Sequence, residues 1–286
     1  MDAVHRFLLE DLEIRGALVQ LGPSWAATNS RRSYAAPVRN LLGELAAVTA
    51  LIGSNLKTPG RLSFQMQGHG PVSMLLMDCN EKLHLRGMAK TELVAGAETS
   101  IASAGDLIGD GQMVLTLRSN AAQEPYQSIV PLEGDTLATI FERYLEQSQQ
   151  HPARLWLAAT ADTACGLFLQ KLPDADLRDP DGWNRIEQLA ATVHPDELAL
   201  PPETLLTRLF SAEDVRLFAP RPAAWHCPRD EEKARNLLLS LGRAEIEAML
   251  ADAEIISIED EICGHEYRFG AEILDELFPP AGRILH

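Results

Sequence analysis

Cysteine is the residue type in this chain with the most chemistry to offer and the fewest copies: Cys79, Cys165, Cys227 and Cys263. A thiolate is a nucleophile, a soft metal ligand or half of a disulfide, and its surroundings decide which. Cys79 follows the apolar run Met74-Leu75-Leu76-Met77, and Cys165 precedes Gly166-Leu167-Phe168. Both are expected to pack as small hydrophobes. Cys227 lies in Trp225-His226-Cys227-Pro228-Arg229-Asp230, and Cys263 in Cys263-Gly264-His265. A cysteine before glycine at a hairpin tip reads as a metal knuckle or as a plain turn. A thiol oxidoreductase would need an activated cysteine with a resolving partner, usually C-x-x-C, and the sequence has no such motif.

The remaining chemistry is sparse. Gly68-His69-Gly70 and Gly109-Asp110-Gly111 complete neither a dinucleotide fingerprint nor a phosphate loop, so they read as turns. A nucleophile elbow is absent. Eight histidines and 41 carboxylates without fixed spacing define no triad; His69 and His84 read as strand or turn residues. The expectation is a protein that is not an enzyme.

The elements that must position these cysteines form an α+β chain. Val38, Leu41, Leu42, Leu45, Val48 and Ile52 recur at helical spacing, which predicts a core helix from Pro37 to Leu56. Leu62, Phe64 and Met66 alternate with polar residues, as do Met113, Leu115 and Leu117, and both stretches read as half-buried strands. Leu155 and Leu157 head another strand, with Gly166 to Leu172 as its hairpin partner. Asp135 is placed to cap a helix burying Leu137, Ile140, Phe141, Tyr144 and Leu145. Seven of the 17 prolines fall between Pro173 and Pro222, so residues 174–224 read as a connector of short helices, one from Trp183 to Val193 and one starting near Pro202. Beyond it, a helix after Asp230 is expected to bury Leu237, Leu238 and Leu241 and to end at Gly242. A second presents Ile246, Met249 and Leu250, and a hairpin follows.

A length of 286 residues suggests about two domains. The organisation read here is an α/β domain over 1–173, the acidic connector over 174–224 and a small unit over 225–286. Net charge is −16, which disfavours nucleic acid and anionic membrane surfaces as partners. Residues 225–286 carry 14 acidic and 6 basic side chains, so a unit with a thin core also repels itself. The N-terminus lacks a basic start with an apolar signal core, and a cytoplasmic location is expected.

The chain resembles the heat shock protein 33 family of redox-regulated bacterial holdase chaperones. The resemblance runs through His5-Arg6-Phe7-Leu8, Ile14-Arg15-Gly16, Gln67-Gly68-His69-Gly70-Pro71 and Arg86-Gly87-Met88-Ala89. It is strongest in Leu132-Glu133-Gly134-Asp135-Thr136-Leu137-Ala138, then Glu142, Tyr144, Ser148, Gln149 and Pro152-Ala153-Arg154-Leu155. It implies an N-terminal α/β domain, a helical linker and a C-terminal zinc domain whose four cysteines, C-x-C and C-x-x-C, hold zinc when reduced. Oxidation releases the metal and unfolds zinc domain and linker. The exposed apolar surface then captures unfolded clients without ATP, usually as a homodimer, in a stress response.

This sequence departs from the pattern at the switch. The first pair falls on Cys227-Pro228-Arg229 and the second on Asp260-Glu261-Ile262-Cys263, so Arg229 and Asp260 stand at lost zinc-ligand positions. Three outcomes are open: a partial zinc site from Cys227, Cys263 and substitutes among Asp260, His265 and His226; a Cys227–Cys263 disulfide across the old metal position; or an Arg229–Asp260 ion pair. An exposed pair contributes about 0–1 kcal/mol and a structural zinc on the order of 10 kcal/mol, so the pair alone cannot replace the metal. The functional expectation is an ATP-independent holdase whose redox switch, Cys227 and Cys263, is weakened. The alternative is an interaction or ligand-binding protein that kept the fold without chaperone activity.

Overall fold

The long apolar helix and the alternating strands organise everything before residue 227. In the computed structural model, residues 2–29, 32–56, 58–94, 96, 103–119, 121–122 and 124–279 are described. The chain forms β1 (Ala3–Leu9), β2 (Ile14–Leu21), α1 (Pro23–Asn29), α2 (Ala36–Ser54), β3 (Gly60–Gly68), β4 (Val72–Asn80), β5 (His84–Thr91), α3 (Ala104–Ile108), β6 (Gly111–Ser119), β7 (Tyr126–Pro131), α4 (Leu137–Gln149), β8 (Ala153–Ala159) and β9 (Ala164–Lys171). The connector contributes α5 (Ala175–Arg178), α6 (Gly182–Ala190), a 3-10 turn (Pro195–Ala199), α7 (Pro202–Leu209), β10 (Val215–Leu217) and β11 (Arg221–Pro222). Then come β12 (Ala224–Trp225), α8 (Glu231–Leu241), α9 (Arg243–Asp252), β13 (Ile256–Asp260), β14 (His265–Phe269) and α10 (Ile273–Leu277).

Two compact units divide the chain at Met1–His226 and Cys227–His286. The connector residues 174–224 thus fold as part of the first. That unit has two six-stranded sheets, one in the order β10-β1-β2-β9-β8 with β11 also on β1, the other β12-β5-β4-β3-β6-β7. The helix α2 packs between them: Leu42, Leu45 and Val48 share one buried cluster with Val19 and Phe168 of the first sheet and Leu62 and Phe64 of the second. Pro37 near the start of α2 supplies the pre-set φ that the first turn needs. The cap of α4 is Thr136, whose hydroxyl accepts the Thr139 N–H at 3.2 Å, and not Asp135 as the sequence suggested. Asp and Thr are both good caps, and the adjacent residue has the extended backbone that a cap requires. Among the described residues no helix is long and apolar enough to cross a membrane.

The second unit packs α8, α9 and α10 against the β13–β14 hairpin around Ala234, Leu238, Ile246, Ile256, Tyr267, Phe269 and Ile273. The spacing suggested that α8 also buries Leu237 and Leu241; instead they are 51% and 46% exposed, and Met249 is at 36%. A core this thin covers one narrow stripe of each helix, so only the Ala234–Leu238 edge of α8 is sealed.

Candidate functional site

The strand β9 is buried along nearly its whole length, Ala164 to Gln170. A strand buried on both faces needs a layer on each side. On one side the layer is α2. On the other it is the connector: Phe7, Leu9, Ile14, Leu18, Cys165, Leu167 and Leu169 of the first sheet form one cluster with Ile186, Ala190, Leu198, Leu205, Leu206, Leu209 and Phe210. The Phe7 and Phe210 rings lie 6.2 Å apart. Gly16 makes room for this contact, because a Cβ there would run into the Phe7 ring. Polar ties hold the same cover: Gln20 donates to the carbonyls of Leu198 and Leu200 at 2.8 and 2.6 Å, Arg154 pairs with Glu187 at 2.6 Å, and β10 pairs with β1 through Phe7 and Leu217. An apolar sheet face is therefore covered by short helices bounded by Pro180, Pro195, Pro201 and Pro202. The sequence reading did not locate this face. The uninterrupted apolar run Ala164-Cys165-Gly166-Leu167-Phe168-Leu169 was the available signal.

The sulfur site lies in the second unit. Cys227 and Cys263 form a disulfide, with Cα atoms 5.9 Å apart and a separation of 36 positions in sequence. Of the three outcomes left open, this is the one present. The ion pair is not formed. Arg229 donates to the Glu266 carbonyl at 2.6 Å and stacks 5.1 Å from the centre of the Tyr267 ring. Asp260 turns inward to shape the hairpin tip, its Oδ1 accepting the N–H groups of Ile262 and Cys263 at 2.9 and 3.2 Å, and Lys233 approaches its Oδ2 at 3.9 Å. Backbone donors at a tight turn outcompete an exposed guanidinium for that carboxylate. Gly264, at φ 66°, closes the tip in the left-handed region.

His265 Nε2 lies 2.8 Å from the Cys227 carbonyl oxygen. A carbonyl only accepts, so Nε2 carries the proton. His226 belongs to the first unit, where its ring sits 4.4 Å from that of His84. Partial burial, followed by the His226 charge, lowers the His84 pKa. The residues present do not fit the family's four-thiolate zinc: two sulfurs are bonded to each other, and a guanidinium and a turn-forming carboxylate stand at the other positions. Among the described residues no group of three or more His, Cys, Asp or Glu side chains could hold a metal ion. Cys79 and Cys165 are free and buried. Burial pushes their thiols up to about 12 and about 11, so neither is a thiolate at neutral pH.

Comparison with known proteins gives one consistent result. The family described as Hsp33 protein matches residues 2–270. A 33 kDa chaperonin of Methylobacillus flagellatus is 39% identical over 97% of this chain and 94% of its own length. Another from Pseudomonas aeruginosa is 38% identical over 98% and 96%. The crystal structure of a 33 kDa chaperonin from Thermotoga maritima shares the fold, with a TM-score of 0.80 at 21% identity over 97% of this chain and 98% of that one.

Proposed function

The chain belongs to the Hsp33 family of chaperones, and on that premise we propose that it is a cytoplasmic, ATP-independent holdase whose client face is the connector-covered side of the first sheet. The observation that carries this reading is the buried cluster joining Phe7, Leu9, Leu18, Leu167 and Leu169 to α6, α7 and Phe210. A face of that composition, once uncovered, is a site for apolar segments of unfolding proteins. Its cover consists of helices of 9 and 8 residues, too short to persist without the sheet beneath them. Such elements are the ones expected to open at low cost in free energy. Two uncovered faces also offer a route to a homodimer.

The switch in this reading is redox-linked but weaker than in four-cysteine relatives. One disulfide, Cys227–Cys263, is available, and no step depends on zinc. Aggregation of a chemically unfolded client, diluted into buffer with reductant or with hypochlorite, tests it. Suppression is expected in reductant as well as in oxidant. Strict dependence on oxidant, together with one bound zinc per chain, would overturn the account of the switch; no suppression under either redox condition or on heating would overturn the holdase. Cys165 gives an independent readout because it lies under the cover. Its alkylation in the absence of client should rise under the conditions that permit capture, while Cys79, in the inter-sheet core, stays protected.

A further inference from the structure

The face of the second sheet turned away from α2 carries a feature that client capture does not use. Side chains alternate across a sheet, so while Leu62 and Phe64 enter the core, Arg61 and Ser63 point the other way. Register then lines up Arg86, Asp78, Ser63, Thr116 and Gln127 in one polar row across five strands, and sets Arg61 directly opposite Arg118. Asp78 is buried and accepts from Ser63 Oγ at 2.6 Å, Arg86 Nε at 3.1 Å and Arg61 at 3.3 Å. This holds two guanidiniums in place while occupying only some of their five N–H groups each.

Arg118 has no such partner: among the described residues no carboxylate pairs with it. Like charges directly opposed on neighbouring strands are destabilising, and here the chain places two arginines so in a molecule of net charge −16. Around them is a cleft of about 620 Å³ lined by three arginines against two carboxylates, Asp78 and Glu81, with Asn80, Thr116 and Gln127 on its walls. We propose that this cleft binds a small sugar phosphate, its phosphate between Arg61, Arg86 and Arg118 and its hydroxyls on the amide and hydroxyl walls. Arginine forks match phosphate geometry. Among the described residues the lining includes no aromatic side chain, so a nucleobase would have nothing there to stack on, which favours a polyol body over a nucleotide.

Titration calorimetry of the full chain at low salt, with glucose 6-phosphate, inorganic phosphate, sulfate and ATP, tests this. Glucose 6-phosphate should bind more tightly than phosphate, sulfate or ATP. Arg118→Gln should weaken it by about tenfold or more, the loss expected for a charge-assisted contact. The thermal midpoint should hold or rise, because repulsion with Arg61 is relieved. No binding of glucose 6-phosphate at millimolar concentration, equal binding of sulfate, tighter binding of ATP, or unchanged affinity in both Arg118→Gln and Arg61→Gln would each overturn the proposal. None of these results depends on the aggregation assay.

Discussion

Glu44 shows how much one half-buried group can report. It lies on α2 and lines a cavity of about 770 Å³ with Leu41, Leu107, Leu155 and Trp156. Burial raises its pKa from 4.5 to about 7. The folded chain therefore holds this proton more tightly than the unfolded chain between those values, and stability falls as pH rises across that window. Glu44→Gln should remove the slope. It should stabilise the first unit by on the order of 2 kcal/mol at pH 8 and by much less near pH 5, read from urea midpoints at both values. An equal gain at both would assign the effect to packing. Glu44 was invisible in the sequence, one carboxylate among 41, because its burial is a product of tertiary packing. The same holds for Arg61, Asp78, Arg86 and Arg118, which only strand register brings together. Cys227 and Cys263 were legible because two thiols at family switch positions stand out, yet their bonding required the hairpin tip to be placed.

At the level of elements, the connector carries the functional argument, and its stability rests on few side chains. Leu205, Leu206, Leu209 and Phe210 of α7 and the residue after it are buried against the first sheet. Leu206→Ala should weaken docking by roughly 2–5 kcal/mol, as for other buried leucines. Far-UV circular dichroism should barely change, because α7 is short, while Cys165 alkylation and aggregation suppression both rise. Increased labelling without increased client capture would separate the cover from the client site. The periodicity of α2 and α7 and the pairing of β8 with β9 were readable, since burial of one face imposes a pattern. The two-residue strands β11 and β12 were not: Arg221–Pro222 and Ala224–Trp225 pair with β1 and β5 through backbone groups, which leave no side-chain period. For the same reason the sequence showed a proline-rich connector but not that its tail would be stitched into both sheets.

For the whole molecule, the disulfide ties the stability of the second unit to redox state, which is the weakened redox linkage proposed above. In the family pattern the reduced thiols hold zinc and the folded domain, and oxidation loosens it. Here the two remaining sulfurs are bonded within the folded second unit, whose core among the described residues is seven buried side chains and whose residues 227–286 hold 14 acidic against 6 basic groups. Closing a loop of this length limits the unfolded ensemble and is worth about 3–4 kcal/mol in the chain-entropy model, a large share of what so small a unit can have. Reduction should therefore loosen this unit. Calorimetry of the full chain is expected to show two transitions. Reductant, or Cys227→Ser, should lower one of them and leave the other, that of the first unit, in place. Added salt should raise the lowered transition by screening its acidic self-repulsion. If reductant moves neither transition, the sulfurs contribute nothing to holding the unit; if it moves both equally, the latch cannot be confined to the second unit.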